Sequence, residues 1–131
     1  MTFATPNPTC PPTTVSCDCC AAGYSKTLYL TFTSSECPSL NGLVIVLKNT
    51  TGNCTSTSAW EGSASVGGCE FDVRVWIAVN VCVWRLSLNG ECSNSTINIG
   101  PATCPFTMQS TTEKFDCTCC DRKNVTITLS E

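Results

Sequence analysis

The sequence predicts an all-β fold, a single antiparallel β-sandwich or jelly roll of seven to eight strands held together by disulfides. Apolar and polar residues alternate along much of the 131-residue chain, which is the period of a strand with one buried face. Thr, Ser and Val are frequent, as is typical of pleated sheets. The 13 cysteines make up about a tenth of the chain, and this density indicates a disulfide framework.

The length of the chain fits one compact domain. Four prolines fall between Thr5 and Pro12, so we expect residues 1–16 to form an extended Pro-rich N-terminal arm. Residues 17–131 are then expected to form the single cysteine-rich β-domain. No segment shows the periodicity of a convincing helix.

The first part of this domain contains three predicted strands. Residues Lys26–Ser34 alternate strictly between apolar and polar side chains, so one face of this strand should lie in the core. The core-facing residues are Leu28, Leu30 and Phe32. Leu43–Leu47 is a continuous apolar run, which favours a strand that is buried on both faces. Ala59–Val66 is a weaker strand that carries Trp60.

The longest alternating segment runs from Glu70 to Leu88. Its apolar residues first fall on odd positions and later on even positions, and such a change of phase requires a turn or a bulge. Asn80 is the only plausible turn residue, so the segment is expected to form two strands or one long strand with a bulge. Asn89-Gly90 marks the next turn. The remaining predicted strands are Thr96–Ile99, Phe106–Ser110 and Val125–Leu129.

The order Cys-Pro, Cys-x-Cys-Cys, strand occurs near each end of the chain. We therefore expect the two terminal segments to be neighbours, and the first and last strands to pair. The cysteines of these two disulfide clusters are Cys10, Cys17, Cys19, Cys20, Cys104, Cys117, Cys119 and Cys120. Adjacent cysteines should bind separate partners because a bridge between them is strained. The connectivity stays open, and the odd number leaves one thiol free or intermolecular.

These motifs resemble a cysteine-rich all-β domain that recurs in uncharacterised bacterial and phage proteins. The likeness lies in Cys17-Asp18-Cys19-Cys20 before the first strand, in Cys104-Pro105-Phe106, and in Cys119-Cys120 before the last strand. It covers most of the chain. The resemblance implies a β-domain and assigns no active site.

Composition argues against most kinds of catalysis. The chain has no histidine, which removes Ser-His-Asp and Cys-His catalysis and imidazole metal sites. It has no phosphate-binding loop and no nucleophile elbow. We therefore predict a non-enzymatic protein without cofactor or metal. A zinc-thiolate cluster is the alternative use of Cys-x-Cys-Cys, but the cysteine pairs lack zinc-finger spacing.

The predicted role is structural: assembly with copies of the same chain or with a larger protein shell. The net charge of −3 and the scattered basic residues do not suit nucleic acid. No apolar stretch reaches the ~18 residues of a membrane span, and residues 1–9 lack a secretory signal. A virion component, such as a capsid decoration or tail protein, would leave the cell by lysis and oxidise afterwards. An extracellular filament subunit is the close variant of this hypothesis.

A secreted module that binds carbohydrate or protein through exposed aromatic residues is the alternative function. Trp76 lies on the strand face opposite a row of valines, so it is either covered or a point of contact. The candidate contact residues for either function are Trp60, Trp76, Pro11 and Pro12.

Overall fold

The computed structural model describes residues 26–49, 59–78, 81–103, 106–120 and 122–131. Eight strands lie in these ranges. They are β1 (Thr27–Thr33), β2 (Val44–Asn49), β3 (Trp60–Val66), β4 (Cys69–Ala78), β5 (Val83–Gly90), β6 (Asn94–Pro101), β7 (Gln109–Phe115) and β8 (Lys123–Ser130). The predicted arm and the first cysteine cluster lie outside the described residues.

All eight strands belong to one antiparallel sheet with the order β6-β5-β4-β3-β2-β1-β8-β7. Strands β1 to β6 form a meander, β7 and β8 form a hairpin, and β6 approaches β7 on the remaining side. The sheet is therefore nearly closed and barrel-like. The all-β class is confirmed, whereas the two-layer arrangement of a sandwich or jelly roll is not. Alternation in a sequence shows one buried face per strand, and a barrel shares that property with a sandwich.

The first and last strands pair, as the sequence predicts. The register places Tyr29 opposite Ser130, Thr31 opposite Thr128 and Thr33 opposite Thr126. This pairing joins the C-terminal hairpin to the meander and brings the sheet close to closure.

The inward side chains fill the barrel with a single apolar core. Leu28, Leu30 and Phe32 are fully buried, so the predicted core face of β1 is confirmed. The ring of Phe32 meets Phe115 edge-on at a centroid distance of 5.5 Å. Each large aliphatic or aromatic side chain buried in this way stabilises the fold by about 1.5–3 kcal/mol.

Strand β2 corrects one expectation. The apolar run Leu43–Leu47 predicted burial on both faces, but Val44 and Val46 are 51% and 46% exposed. Ile45 and Leu47 are buried on the inner face. The prediction was wrong because both faces of a doubly buried strand must be covered, and no described element covers the outer face here.

The change of phase between Glu70 and Leu88 is a turn, which is one of the two possibilities that the sequence left open. Strand β4 ends at Ala78 and β5 begins at Val83, so two strands are confirmed. Cys82 has a positive φ of 55°, which is consistent with a tight turn before β5. Asn80 itself lies outside the described residues. The expected turn at Asn89-Gly90 is displaced, because both residues still belong to β5 and the chain turns just after them.

Strand β7 corrects a second expectation. The predicted strand Phe106–Ser110 shares only its last two residues with β7, which runs from Gln109 to Phe115. The sequence of β7 is mostly polar, and its inward residues are only partly buried until Phe115. Strand β7 lies at one edge of the sheet, beside the gap between β7 and β6. A strand in this position does not need a row of apolar side chains, so periodicity in the sequence does not identify it.

Candidate functional site

One end of the barrel is fastened by the segment Cys117-Thr118-Cys119-Cys120. Its three cysteines form disulfides with three different parts of the chain, separated in sequence by 25, 50 and 83 residues. The bridges are Cys92–Cys117, Cys69–Cys119 and Cys37–Cys120. Adjacent cysteines thus have separate partners, in agreement with the strain argument.

The topology explains why these partners meet. In an antiparallel meander, every second connection lies at the same end of the sheet. Cys37 lies between β1 and β2, Cys69 begins β4, and Cys92 lies between β5 and β6. The segment that bonds to them connects β7 and β8. The disulfides therefore link all four connections at one end of the barrel.

Hydrogen bonds around Glu91 reinforce this end. The Glu91 carboxylate accepts hydrogen bonds from the backbone N–H of Glu70 at 3.1 Å and from the hydroxyl of Thr118 at 3.3 Å. The backbone N–H of Thr118 also donates to the carbonyl oxygen of Glu91 at 3.0 Å. The same region holds a shallow depression of about 580 Å³ beside Asp116.

The described part of the chain contains no group of three or more His, Cys, Asp or Glu side chains arranged to hold a metal ion. Six of the described cysteines are in disulfides, so their sulfurs are not thiolates available to zinc. The cluster residues Cys10, Cys17, Cys19, Cys20 and Cys104 lie outside the described residues.

The two tryptophans singled out by the sequence have different environments. Trp60 is only 2% exposed and packs edge-on against Trp84, with ring centroids 5.3 Å apart. Its position on the inner face of β3 removes it as a surface contact, which corrects that expectation. Trp76 lies on the outer face of β4 and is partly exposed. Pro11 and Pro12 lie outside the described residues.

Trp76 belongs to a polar surface on β3, β4, β5 and β6. The guanidinium carbon of Arg74 lies 5.9 Å from the centre of the Trp76 ring, within the range of a cation–π contact. Arg74 also forms an ion pair with Glu61 across to β3, with Nε 3.5 Å from the carboxylate. On the other side, Arg85 lies opposite Trp76 in register on β5.

The opposite part of the barrel wall carries a different surface, which we call the uncharged face. It consists of outward residues on β2, β1, β8 and β7. These residues are Tyr29, Thr31, Thr33, Val44, Val46, Ser110, Thr112, Thr126 and Thr128. Cross-strand pairs arrange them in rows, and the exposed Tyr29 lies directly opposite Val46.

Sequence reasoning missed Val44 and Val46 as surface residues and did not identify the partners of Cys117, Cys119 and Cys120. The positions of the partner cysteines relative to the strands indicate which cysteines can meet. Cys37, Cys69 and Cys92 lie beside alternate connections of a meander, which places them at one end.

Comparisons of this chain with protein families, with curated proteins and with solved structures found no match. Nothing in the described part of the chain forms a helix with the length and apolar character that a membrane crossing requires. The three disulfides are consistent with an oxidising environment outside the cytosol.

Proposed function

We propose that this protein is a non-enzymatic structural domain that assembles with copies of itself, as a component of a virion or of an extracellular filament. The observation that carries this proposal is the uncharged face. Its nine residues lie on four of the eight strands, and the charged outward residues of these strands, Lys48 on β2 and Lys114 on β7, lie at its two ends. Only 13% of the chain is charged, so little electrostatic repulsion opposes association.

Hydroxyl groups on this face already satisfy one another. The hydroxyls of Thr112 and Thr126 are 2.7 Å apart, and those of Ser110 and Thr128 are 3.2 Å apart. Burying a polar group costs less free energy when the group keeps a hydrogen bond than when it loses its water partner and gains no other. The uncharged face can therefore be buried by a partner although it is rich in threonine.

Apolar side chains beside these hydroxyls supply a driving force. Val44, Val46 and Tyr29 are 51%, 46% and 37% exposed, and they are adjacent on β1 and β2. Removing such area from water contributes roughly 25 cal/mol per Å². The cluster would form the centre of a contact, with the hydroxyl rows around it.

A second copy of this chain is the partner that fits the surface. A standard interface covers ~800 Å² per partner, about a tenth of the surface of a small protein. A contact of that size would extend beyond the nine residues of the uncharged face, since a standard interface takes about 20–30 residues from each partner. A face without charge offers nothing to select an oppositely charged partner, whereas two such faces match each other in a two-fold arrangement.

The disulfide-fastened end fits the same role. Bridges that join four connections keep the barrel intact outside the cytosol, where assemblies of virions and filaments persist. Each bridge contributes about 2–4 kcal/mol in the chain-entropy account. A protein whose function is its shape benefits directly from such protection.

Sedimentation over a range of concentrations tests the proposal. We expect the oxidised protein to form dimers or larger species below ~1 mM, the weak end of measurable association. Val46→Lys puts a charge at the centre of the uncharged face and should weaken association at least tenfold, because the charge must be desolvated.

Asn89→Lys is the matched control, since Asn89 is an exposed outward residue of β5, which β4 and β3 separate from β2. It should associate like the unchanged protein. A monomer at all concentrations would contradict the assembly role. Equal association of the two lysine variants would show that the uncharged face is not the contact.

A further inference from the structure

Trp76 is the aromatic side chain on the polar side of the barrel that remains partly exposed. The other two tryptophans, Trp60 and Trp84, are 2% and 0% exposed. Alternation along β4 places position 76 on the outer face of the strand, so the Trp76 indole does not form part of the core. A partly exposed indole offers a flat apolar surface with a polar edge.

Arginines lie on two sides of this indole. Arg74 is paired with Glu61, so its charge is largely compensated. Arg85 donates from Nε to the side-chain oxygen of Asn98 at 3.0 Å, which fixes the orientation of its guanidinium. Among the described residues, no carboxylate forms an ion pair with Arg85. A planar guanidinium held in this way is suited to bind a carboxylate through two parallel hydrogen bonds.

A polar depression continues from Arg74 along β3, β4 and β5. It has a volume of about 590 Å³, which lies within the usual range of ligand sites. Its polar side chains combine acceptors, donors and hydroxyls, namely Glu61, Ser63, Asp72, Arg74, Ser87 and Asn89. Such a mixture suits a ligand that carries many hydroxyl groups.

The spacing indicates the size of that ligand. Asp72 and Trp76 are four residues apart on one strand, which corresponds to roughly 13 Å at ~3.3 Å per residue. One sugar ring cannot contact both, but consecutive rings of a short chain can. A pyranose ring has an apolar C–H face for the indole and hydroxyls at its rim for the depression.

We infer that the outer surface around Trp76 binds an oligosaccharide with one acidic ring, which lies against the indole with its carboxylate on Arg85 while neutral rings occupy the depression. This site uses strands β3 to β6 and leaves the uncharged face free. The saccharide site therefore goes beyond the assembly role, and the two proposals are tested independently of each other.

Tryptophan fluorescence tests the inference on the unchanged, oxidised protein. The probes are oligosaccharides in which one galacturonate, glucuronate or mannuronate ring is joined to neutral sugars, each compared with its methyl ester, which keeps the rings and removes the charge. Trp60 and Trp84 are buried, so a bound saccharide should change the emission of Trp76. We expect at least one acid oligosaccharide to change the emission, with at least tenfold weaker binding of its ester.

Variants assign the contacts, with binding measured by calorimetry and folding checked by thermal unfolding. Trp76→Ala and Arg85→Gln should each weaken binding of the acid oligosaccharide at least tenfold, and Arg85→Gln should leave ester binding unchanged. Arg122→Gln removes an exposed arginine from the β7–β8 connection and should bind like the unchanged protein.

Three results would overturn the inference: no emission change with any of the acids, equal binding of acid and ester, or undiminished binding by Trp76→Ala. Tyr29→Ala separates this site from the proposed assembly. It should weaken self-association and leave saccharide binding intact. If only self-association or only saccharide binding is absent, only the proposal for that property is contradicted.

Discussion

Ser34 is a buried hydroxyl that connects the first strand to the last. It is 7% exposed, and its Oγ donates to the carbonyl oxygen of Asn124 at 2.6 Å. The same oxygen accepts the backbone N–H groups of Glu36 at 3.1 Å and Cys37 at 2.9 Å. One side chain thus fixes the connection that delivers Cys37 to its disulfide and attaches that connection to β8.

Replacing this hydroxyl should destabilise the fold. Ser34→Ala leaves the Asn124 carbonyl and the N–H groups of Glu36 and Cys37 without this partner, and the Cys37 N–H is buried, so we expect a loss of about 1–3 kcal/mol in the free energy of unfolding. Denaturant titration of the oxidised protein measures the loss. Ser35→Ala is the control, because Ser35 is exposed and the same atoms are removed. Equal stability of the two variants would mean that the Ser34 network contributes nothing.

Strand β3 approaches β2 closely at a glycine. A Cβ on Gly62 would collide with the carbonyl oxygen of Val46 and would lie 2.9 Å from Cγ2 of Ile45. The first of these atoms belongs to the backbone, so it cannot move aside as a flexible side chain would. Glycine is therefore required here by packing between strands.

Gly62→Ala should destabilise the barrel although alanine is otherwise the better strand residue. The lower backbone entropy of the unfolded alanine chain favours folding by about 0.4–1 kcal/mol. Overpacking against a backbone atom costs about 1–3 kcal/mol and outweighs this gain. Thermal unfolding should show a lower midpoint than for Ser63→Ala, an outward change on the same strand. An unchanged or higher midpoint would show that β2 and β3 separate without cost.

The strands that could be predicted from the sequence are those with a clear alternation. Residues of β1 and β4 place every second side chain in the core, so their periodicity reports burial directly. Strand β7 lies at the seam and carries a polar sequence, so nothing in its pattern marks it. The number of layers could not be predicted, because closure depends on which strands pair and not on which residues are apolar.

The candidate site could be predicted only in part for a similar reason. The sequence shows that Trp76 faces away from the valine row, and the structure leaves it partly exposed. The sequence does not show that Arg85 lies beside the indole, because that depends on the register between β4 and β5. The burial of Trp60 likewise depends on its contact with Trp84, which no local pattern encodes.

The barrel is constrained, within the part of the chain that the structure describes, by three disulfides that close loops of very different length. The chain separations are 83 residues for Cys37–Cys120, 50 for Cys69–Cys119 and 25 for Cys92–Cys117. In the chain-entropy account, a bridge stabilises a protein by restricting its unfolded state, and the effect grows with the logarithm of the loop length. The three bridges should therefore contribute unequally.

Keeping one of the three bridges at a time, with the other four of these cysteines changed to alanine, should reveal this order. Relative to the variant that lacks all three, we expect each bridge to add about 2–4 kcal/mol to the free energy of unfolding, with Cys37–Cys120 adding about 1 kcal/mol more than Cys92–Cys117. Equilibrium denaturation without reductant measures the three values. Because all three bridges leave the same short segment, these variants differ mainly in the loop that is closed. The reverse order would mean that the bridges stabilise the folded end of the barrel through local packing rather than through the unfolded chain.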